Sequence, residues 1–140
     1  MKKCIVTAAL LLLATTGISA QSAQGVTVSV TLENVGNNQG EILAGLHTAE
    51  TFMKGMGIQN FKAEAREGAL SFSFEHVPPG AYAISVLHDL NGNFQMDYEP
   101  NGMPGEPYAM SGDQVKMGPP VFSRVRFQVE EEDLELSLRF

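Results

Sequence analysis

Asp89, Asn91, Asn93 and Asp97 stand at relative positions one, three, five and nine of a single short stretch, with Glu99 two residues beyond. That is the oxygen-ligand spacing of a calcium loop. Alternate residues of a tightly wound loop aim side-chain oxygens at one centre, and calcium accepts about six to eight of them, including a backbone carbonyl at position seven, here that of Gln95. The candidate ligands are therefore Asp89, Asn91, Asn93, Gln95, Asp97 and Glu99. A helical EF-hand is excluded, because position six is Phe94 rather than glycine, position twelve is Pro100 rather than glutamate, and both flanks read as strands. With three carboxylates at most, the expected affinity is weak, about 10⁻⁴–10⁻³ M. A second reading needs no ion: Asn91-Gly92 is a favoured hairpin turn, and Asp and Asn side chains bond their own backbone in turns. The residues leave both readings open, and under either one Asp89 and its neighbours organise the chain that follows.

Other chemistry is sparse. Three histidines are present, His47, His76 and His88. If Leu70 to His76 pairs with Ala81 to His88 around Pro78-Pro79-Gly80, then His76 and His88 lie roughly 20 Å apart at about 3.3 Å per residue, too far to share a metal. His88 beside Asp89 is the best remaining candidate, as the centre of a metal-dependent hydrolase using loop carboxylates. No Gly-x-Ser-x-Gly elbow, His-Glu-x-x-His pair or phosphate-binding glycine loop occurs. Glu99 and Glu106 could form an acid/base pair, but capping is the simpler role, and no catalytic residue is assigned. Met103, Met110 and Met117 flank the same region, where a flexible apolar lining would suit a carrier of small apolar ligands.

These residues must be positioned by strands. Val26, Val28, Val30 and Leu32 alternate with polar residues, as do Leu70, Phe72 and Phe74, then Tyr82, Ile84 and Val86, and finally Leu134, Leu136, Leu138 and Phe140. Further strands are expected over Glu41 to His47, Phe61 to Arg66 and Val121 to Val129, with a short helix over Thr48 to Met53. Asp89 to Pro120 holds five of the seven prolines and reads as one long loop. About seven short strands with almost no helical period predict an all-β antiparallel sandwich of immunoglobulin-like or transthyretin-like form. An outer-membrane barrel fits poorly: there is no tryptophan and there are three tyrosines, where barrel strands need aromatic girdles.

The 140 residues carry 44% hydrophobic and 18% charged side chains. Lys2-Lys3, the apolar run Ile5 to Ala14 and Gly17-Ile18-Ser19-Ala20 follow the grammar of a signal peptide cleaved after Ala20. The expected organisation is residues 1–20 as signal, 21–25 as a polar leader and 26–140 as one domain, periplasmic or secreted, with no transmembrane segment after cleavage. Cleavage also removes Cys4, the single cysteine, so neither disulfide nor thiolate chemistry is expected. Losing Lys2 and Lys3 leaves seven basic against sixteen acidic residues, a formal charge of −9 that opposes nucleic-acid binding.

Several runs together carry a resemblance. Val77-Pro78-Pro79-Gly80-Ala81-Tyr82-Ala83, His88 to Asn93 with Asp97, Gly102 to Tyr108 with Ser111, and Gly118-Pro119-Pro120-Val121-Phe122 resemble the bacterial exported family called domain of unknown function 2141. Met110 stands where an aromatic is expected before Ser111. The resemblance, over about Val26 to Phe140, implies a small exported β-sandwich and brings no activity with it. The leading expectation is a non-enzymatic binding or interaction module, its partner a protein, a glycan or a small molecule, with a loop ordered by calcium or by its own turn bonds.

Overall fold

A computed structural model describes residues 25–112 and 118–140; the expected signal peptide and Met117 lie outside the described residues. Two sheets face each other. In the first, β1 (Val26–Val35) lies between β4 (Gly68–Val77) and β8 (Leu134–Arg139); in the second, the order is β3 (Gln59–Glu64), β2 (Glu41–His47), β5 (Gly80–Asp89) and β6 (Tyr108–Met110). A three-residue strand, β7 (Phe127–Val129), pairs with the start of β5. The expected all-β sandwich is thus observed, with one difference in direction: β8 runs parallel to β1, Leu136 opposite Val30 and Leu138 opposite Leu32.

Alternation explains the core. Val28, Val30, Leu32, Phe72 and Phe74 from the first sheet meet Ile42, Leu46, Ile84 and Val86 from the second, and each large side chain fully buried there contributes about 1.5–3 kcal/mol. Two bulges keep that phase useful. Glu75 and His76 of β4 oppose the single Thr27 of β1, and Glu33 and Asn34 of β1 oppose the single Ala69 of β4; His76 and Asn34 take left-handed φ values, 54° and 65°. Each extra residue turns the next apolar side chain back inward, which is why Val77 and Val35 are buried although they break the period-two pattern.

Several expectations need correction. The runs on either side of Pro78-Pro79-Gly80 do not form a hairpin, since β4 pairs with β1 while β5 pairs with β2. Both runs are apolar on the side facing the same core, so the prolines carry the chain across the sandwich, and the Tyr82 hydroxyl donates to the Pro78 carbonyl at 2.8 Å to fix the crossing. Strand β3 begins and ends two residues before the expected 61–66. Thr48 to Lys54 forms a hydrogen-bonded turn, with Phe52 N–H donating to Thr48 O at 3.0 Å, rather than a helix. The long loop is interrupted by β6, and the expected strand over 121–129 is replaced by a single helical turn, α1 (Phe122–Val125), followed by β7.

That last departure has a tertiary cause. Strand β5 is covered on its outer face as well, where Phe52, Ala83, Met110 and Val125 form a second small core with Phe122 against it. A helical turn swings Phe122 onto Phe52, ring centroids 5.8 Å apart, and Val125 inward, which an extended chain with period two would not do together. Ser111 fastens this cover: buried, its hydroxyl accepts from Ile84 N–H at 2.9 Å and donates to Val125 O at 2.6 Å. Met110, the departure from the family pattern, packs in this second core. Replacing Ser111 by alanine strands a buried N–H and a carbonyl, so Ser111→Ala is expected to lower stability by about 2–3 kcal/mol, read as an earlier urea midpoint with unchanged slope.

Candidate functional site

Strand β5 ends at Asp89, and the loop begins there. The Asp89 side chain is buried, and its carboxylate accepts three consecutive loop N–H groups: Oδ1 from Gly92 at 2.9 Å and Asn93 at 3.3 Å, Oδ2 from Phe94 at 2.8 Å. A buried carboxylate held by three donors is a strong organiser, because bonds to an ionised acceptor are roughly twice as strong as neutral ones. Asn91 Oδ1 accepts from Asn93 N–H at 3.2 Å, and Asn93 Oδ1 accepts from Gln95 N–H at 3.0 Å. Asn91 and Asn93 then donate their side-chain amides to the two oxygens of Asp97 at 2.6 and 2.9 Å. Four of the six expected ligands, Asp89, Asn91, Asn93 and Asp97, are thus linked by hydrogen bonds in one loop.

The remaining two stand apart. Gln95 is exposed and joins through its backbone N–H, while Glu99 is exposed and its carboxylate makes no hydrogen bond or ion pair among the described residues. Glu106 does the work nearer the centre. It is buried, with Oε1 accepting from Leu90 N–H at 2.8 Å and Oε2 from Asp97 N–H at 3.2 Å, so one carboxylate ties the loop's entrance to its far side. Sequence spacing hid this role, because Glu106 lies seventeen positions after Asp89 and reaches it only through the fold back at Tyr98 and Pro104. Capping, the simpler expectation for Glu106, is what the geometry displays.

Phe94 occupies the position where a helical calcium loop has glycine, and it adopts the same left-handed backbone, φ 60°. Its ring stays at the surface with the Lys62 ammonium 5.3 Å from the centroid. Tyr98, Met103 and Tyr108 are also exposed on the loop. Gly40 supports the whole from below, where a Cβ would come within 2.0 Å of the Asp89 carbonyl oxygen. Among the described residues the ion pairs are Lys62 with Glu41 and Arg66 with Glu64, so Asp89, Asp97 and Glu106 have no cationic partner there. Nor, among those residues, does any group of three or more His, Cys, Asp and Glu gather as a metal-ligand set.

The histidines fall in three different places. His76 is exposed at its bulge. His88 is fully buried in the inner core, its Nε2 donating to Gln39 O at 2.7 Å and its ring 5.9 Å from that of Phe140. No substrate reaches it there. His47 lies on the opposite, outer face of β2, 2.9 Å from Ser85 Oγ through Nε2. Burial lowers its pKa from the usual imidazole value, opposed by a backbone hydrogen bond to Thr51 that raises it.

A two-sheet β-sandwich with a carboxylate-pinned loop at the end of strand β5 is the class these features define. The family described as an uncharacterized protein conserved in bacteria, DUF2141, matches residues 30–137, and the chain belongs to it. No curated protein and no solved structure matches the chain.

Two outcomes follow from the geometry. Asp89→Ala leaves three loop N–H groups without their acceptor and is expected to cost about 3 kcal/mol or more, whereas Glu99→Ala, in an unpaired exposed position, stays within about 0.5 kcal/mol; equal denaturation midpoints for the two would contradict the assignment. For His47 the folded pKa lies below the unfolded one, so the unfolded chain binds the extra proton. Stability is therefore full above about pH 7.5 and declines as pH falls through about 6.5 toward the folded pKa. Chemical denaturation of His47→Gln across that window is expected to lack the decline.

Proposed function

We propose that the chain is an exported, non-enzymatic binding module, periplasmic or secreted, whose recognition element is the loop from Asp89 to Tyr108, stiffened by a weakly held calcium ion. The observation that carries this reading is the loop itself: three carboxylates fixed by seven N–H donors, without an ion-paired cation among the described residues, beneath four exposed large apolar side chains. A loop with so many internal bonds presents Phe94, Tyr98, Met103 and Tyr108 with little entropy left to lose on binding, which is how preorganised surfaces gain affinity. The formal charge argues for a neutral or cationic partner rather than a polyanion.

The donor set suits calcium, since every candidate atom is a hard oxygen. Asp89 and Asp97 would hold the ion, with the Gln95 carbonyl and the Asn91 and Asn93 side-chain oxygens completing the shell, and Glu106 anchoring the frame. Binding then exchanges the amide contacts of Asn91 and Asn93 with Asp97 for oxygen contacts to the ion. Calcium titration of the intact protein is expected to move the Asn91 and Asn93 side-chain amide resonances with a Kd of about 10⁻⁴–10⁻³ M. At tenfold above that Kd the gain is about 1.4 kcal/mol, a rise of several degrees in Tm. Unmoved amides and an unchanged Tm at ten times the upper limit remove calcium from the reading. Recognition is tested separately by passing the protein over panels of neutral polysaccharides and peptides: Phe94→Ala with Tyr98→Ala should lose any retention at unchanged Tm, and equal retention would dismiss the loop as the recognition element.

A further inference from the structure

The outer face of the second sheet holds a polar pair that the loop does not use. Gly45 of β2 lies opposite Ser85 of β5, and His47, two residues further along the same face, folds its imidazole back over Gly45. Only glycine permits this: a Cβ at position 45 would stand 2.7 Å from His47 Nε2. The ring nitrogen therefore reaches Ser85 Oγ at 2.9 Å, while Phe52 packs edge-on against the imidazole with centroids 6.0 Å apart. On its other side Nδ1 faces Thr51, whose hydroxyl is 3.4 Å away and already accepts Thr48 N–H at 3.1 Å. With the proton assigned to Nδ1, which faces Thr51, Nε2 is left as the acceptor. Nε2 then turns its lone pair to Ser85, and the serine hydroxyl donates to it.

We propose that Ser85 and His47 form a nucleophile–base pair, oriented by Thr51, which accepts an acyl group from small activated esters. A hydroxyl bonded to a base that is itself held by a third group is the arrangement that activates serine in acyl transfer. In the step, Ser85 Oγ bonds to the ester carbonyl carbon as its proton passes to His47 Nε2. The carbon–oxygen bond to the leaving group then breaks, the departing oxygen takes up that proton, and the acyl group remains as an ester on Ser85. Burial keeps the imidazole neutral near pH 7, ready to accept the proton. Ser85 is partly buried and His47 is buried, which limits the proposal to small acyl donors. Activated esters are specified because their leaving groups depart without a dedicated acid. This inference is independent of the loop, and its failure leaves the calcium reading untouched.

The test is acetylation of the intact protein by p-nitrophenyl acetate, followed by intact mass and peptide mapping. Ser85 is expected to gain one acetyl group well ahead of the exposed Ser71, Ser73 and Ser137, which serve as internal controls. Ser85→Ala should abolish that label, and His47→Gln should slow it by about 10²–10⁴-fold, the usual contribution of a general base. If His47→Gln fails to fold, the pH profile of the unaltered protein decides, because the rate at Ser85 must fall as His47 gains its proton below about pH 6.5. Labelling of Ser85 no faster than the control serines, or a rate indifferent both to His47→Gln and to pH, overturns the proposal.

Discussion

Strand β5 is buried on its inner face and partly covered on its outer one, and that constraint organises the molecule. An antiparallel sheet commonly leaves one face to water, but here the inner face carries Tyr82, Ile84, Val86 and His88 into the sandwich while Ala83 lies under a second cover. The cover is built from segments with little regular structure, the turn after β2 and the helical turn before β7. Ser111 bonds the helical turn to β5, and the turn after β2 joins it through Phe52 against Phe122. The strand, paired on both edges, sets where the groups at its end and on its outer face stand. Asp89 meets the loop N–H groups at one fixed point, and Ser85 meets His47 at another.

Much of the sandwich was legible because a half-buried strand writes its faces into alternate residues. The runs Val26 to Leu32, Leu70 to Phe74, Tyr82 to Val86 and Leu134 to Leu138 all became strands. Pairing was less legible, since alternation states which side is apolar and says nothing of the neighbour. Leu70 to Phe74 and Tyr82 to Val86 look like the arms of a hairpin, yet they belong to opposite sheets whose apolar sides face each other. Val121 to Val129 was misread for a different reason: Phe122 and Val125 are three apart, a helical spacing too short to be told from the alternation of Val125 and Phe127 beside it, and the ring that Phe122 packs against, Phe52, lies 70 positions earlier in the chain.

The loop illustrates the same division. Asp89, Asn91, Asn93 and Asp97 act locally, each bonding atoms within six residues, so their order along the chain suffices to group them. Glu106 acts across the fold and could be placed only after β6 was seen to pair with β5 and bring Pro107 beside His88. Phe94 looked disqualifying at a position that calls for a left-handed residue. It takes that conformation anyway at a cost of about 1–2 kcal/mol, offset in part by the Lys62 contact and by the bond from its N–H to Asp89. A residue type is a preference, and three charge-assisted bonds outweigh it.

His88 shows how strongly the inner face is determined. Its Nε2–H is satisfied by the Gln39 carbonyl, which leaves Nδ1 fully buried and without a partner among the described residues. Such a stranded acceptor costs about 1–3 kcal/mol, and an apolar residue of similar size would avoid it. What the imidazole supplies in return is a bond to the segment between β1 and β2, near Gly40, whose backbone lies directly against the carbonyl of Asp89. One ring thus holds together the turn before β2, the C-terminal Phe140 and the end of β5 from which the loop departs. The polar atom in the core is the counterpart of the carboxylate at the rim: both fix the same strand end, one from inside the sandwich and one from the loop.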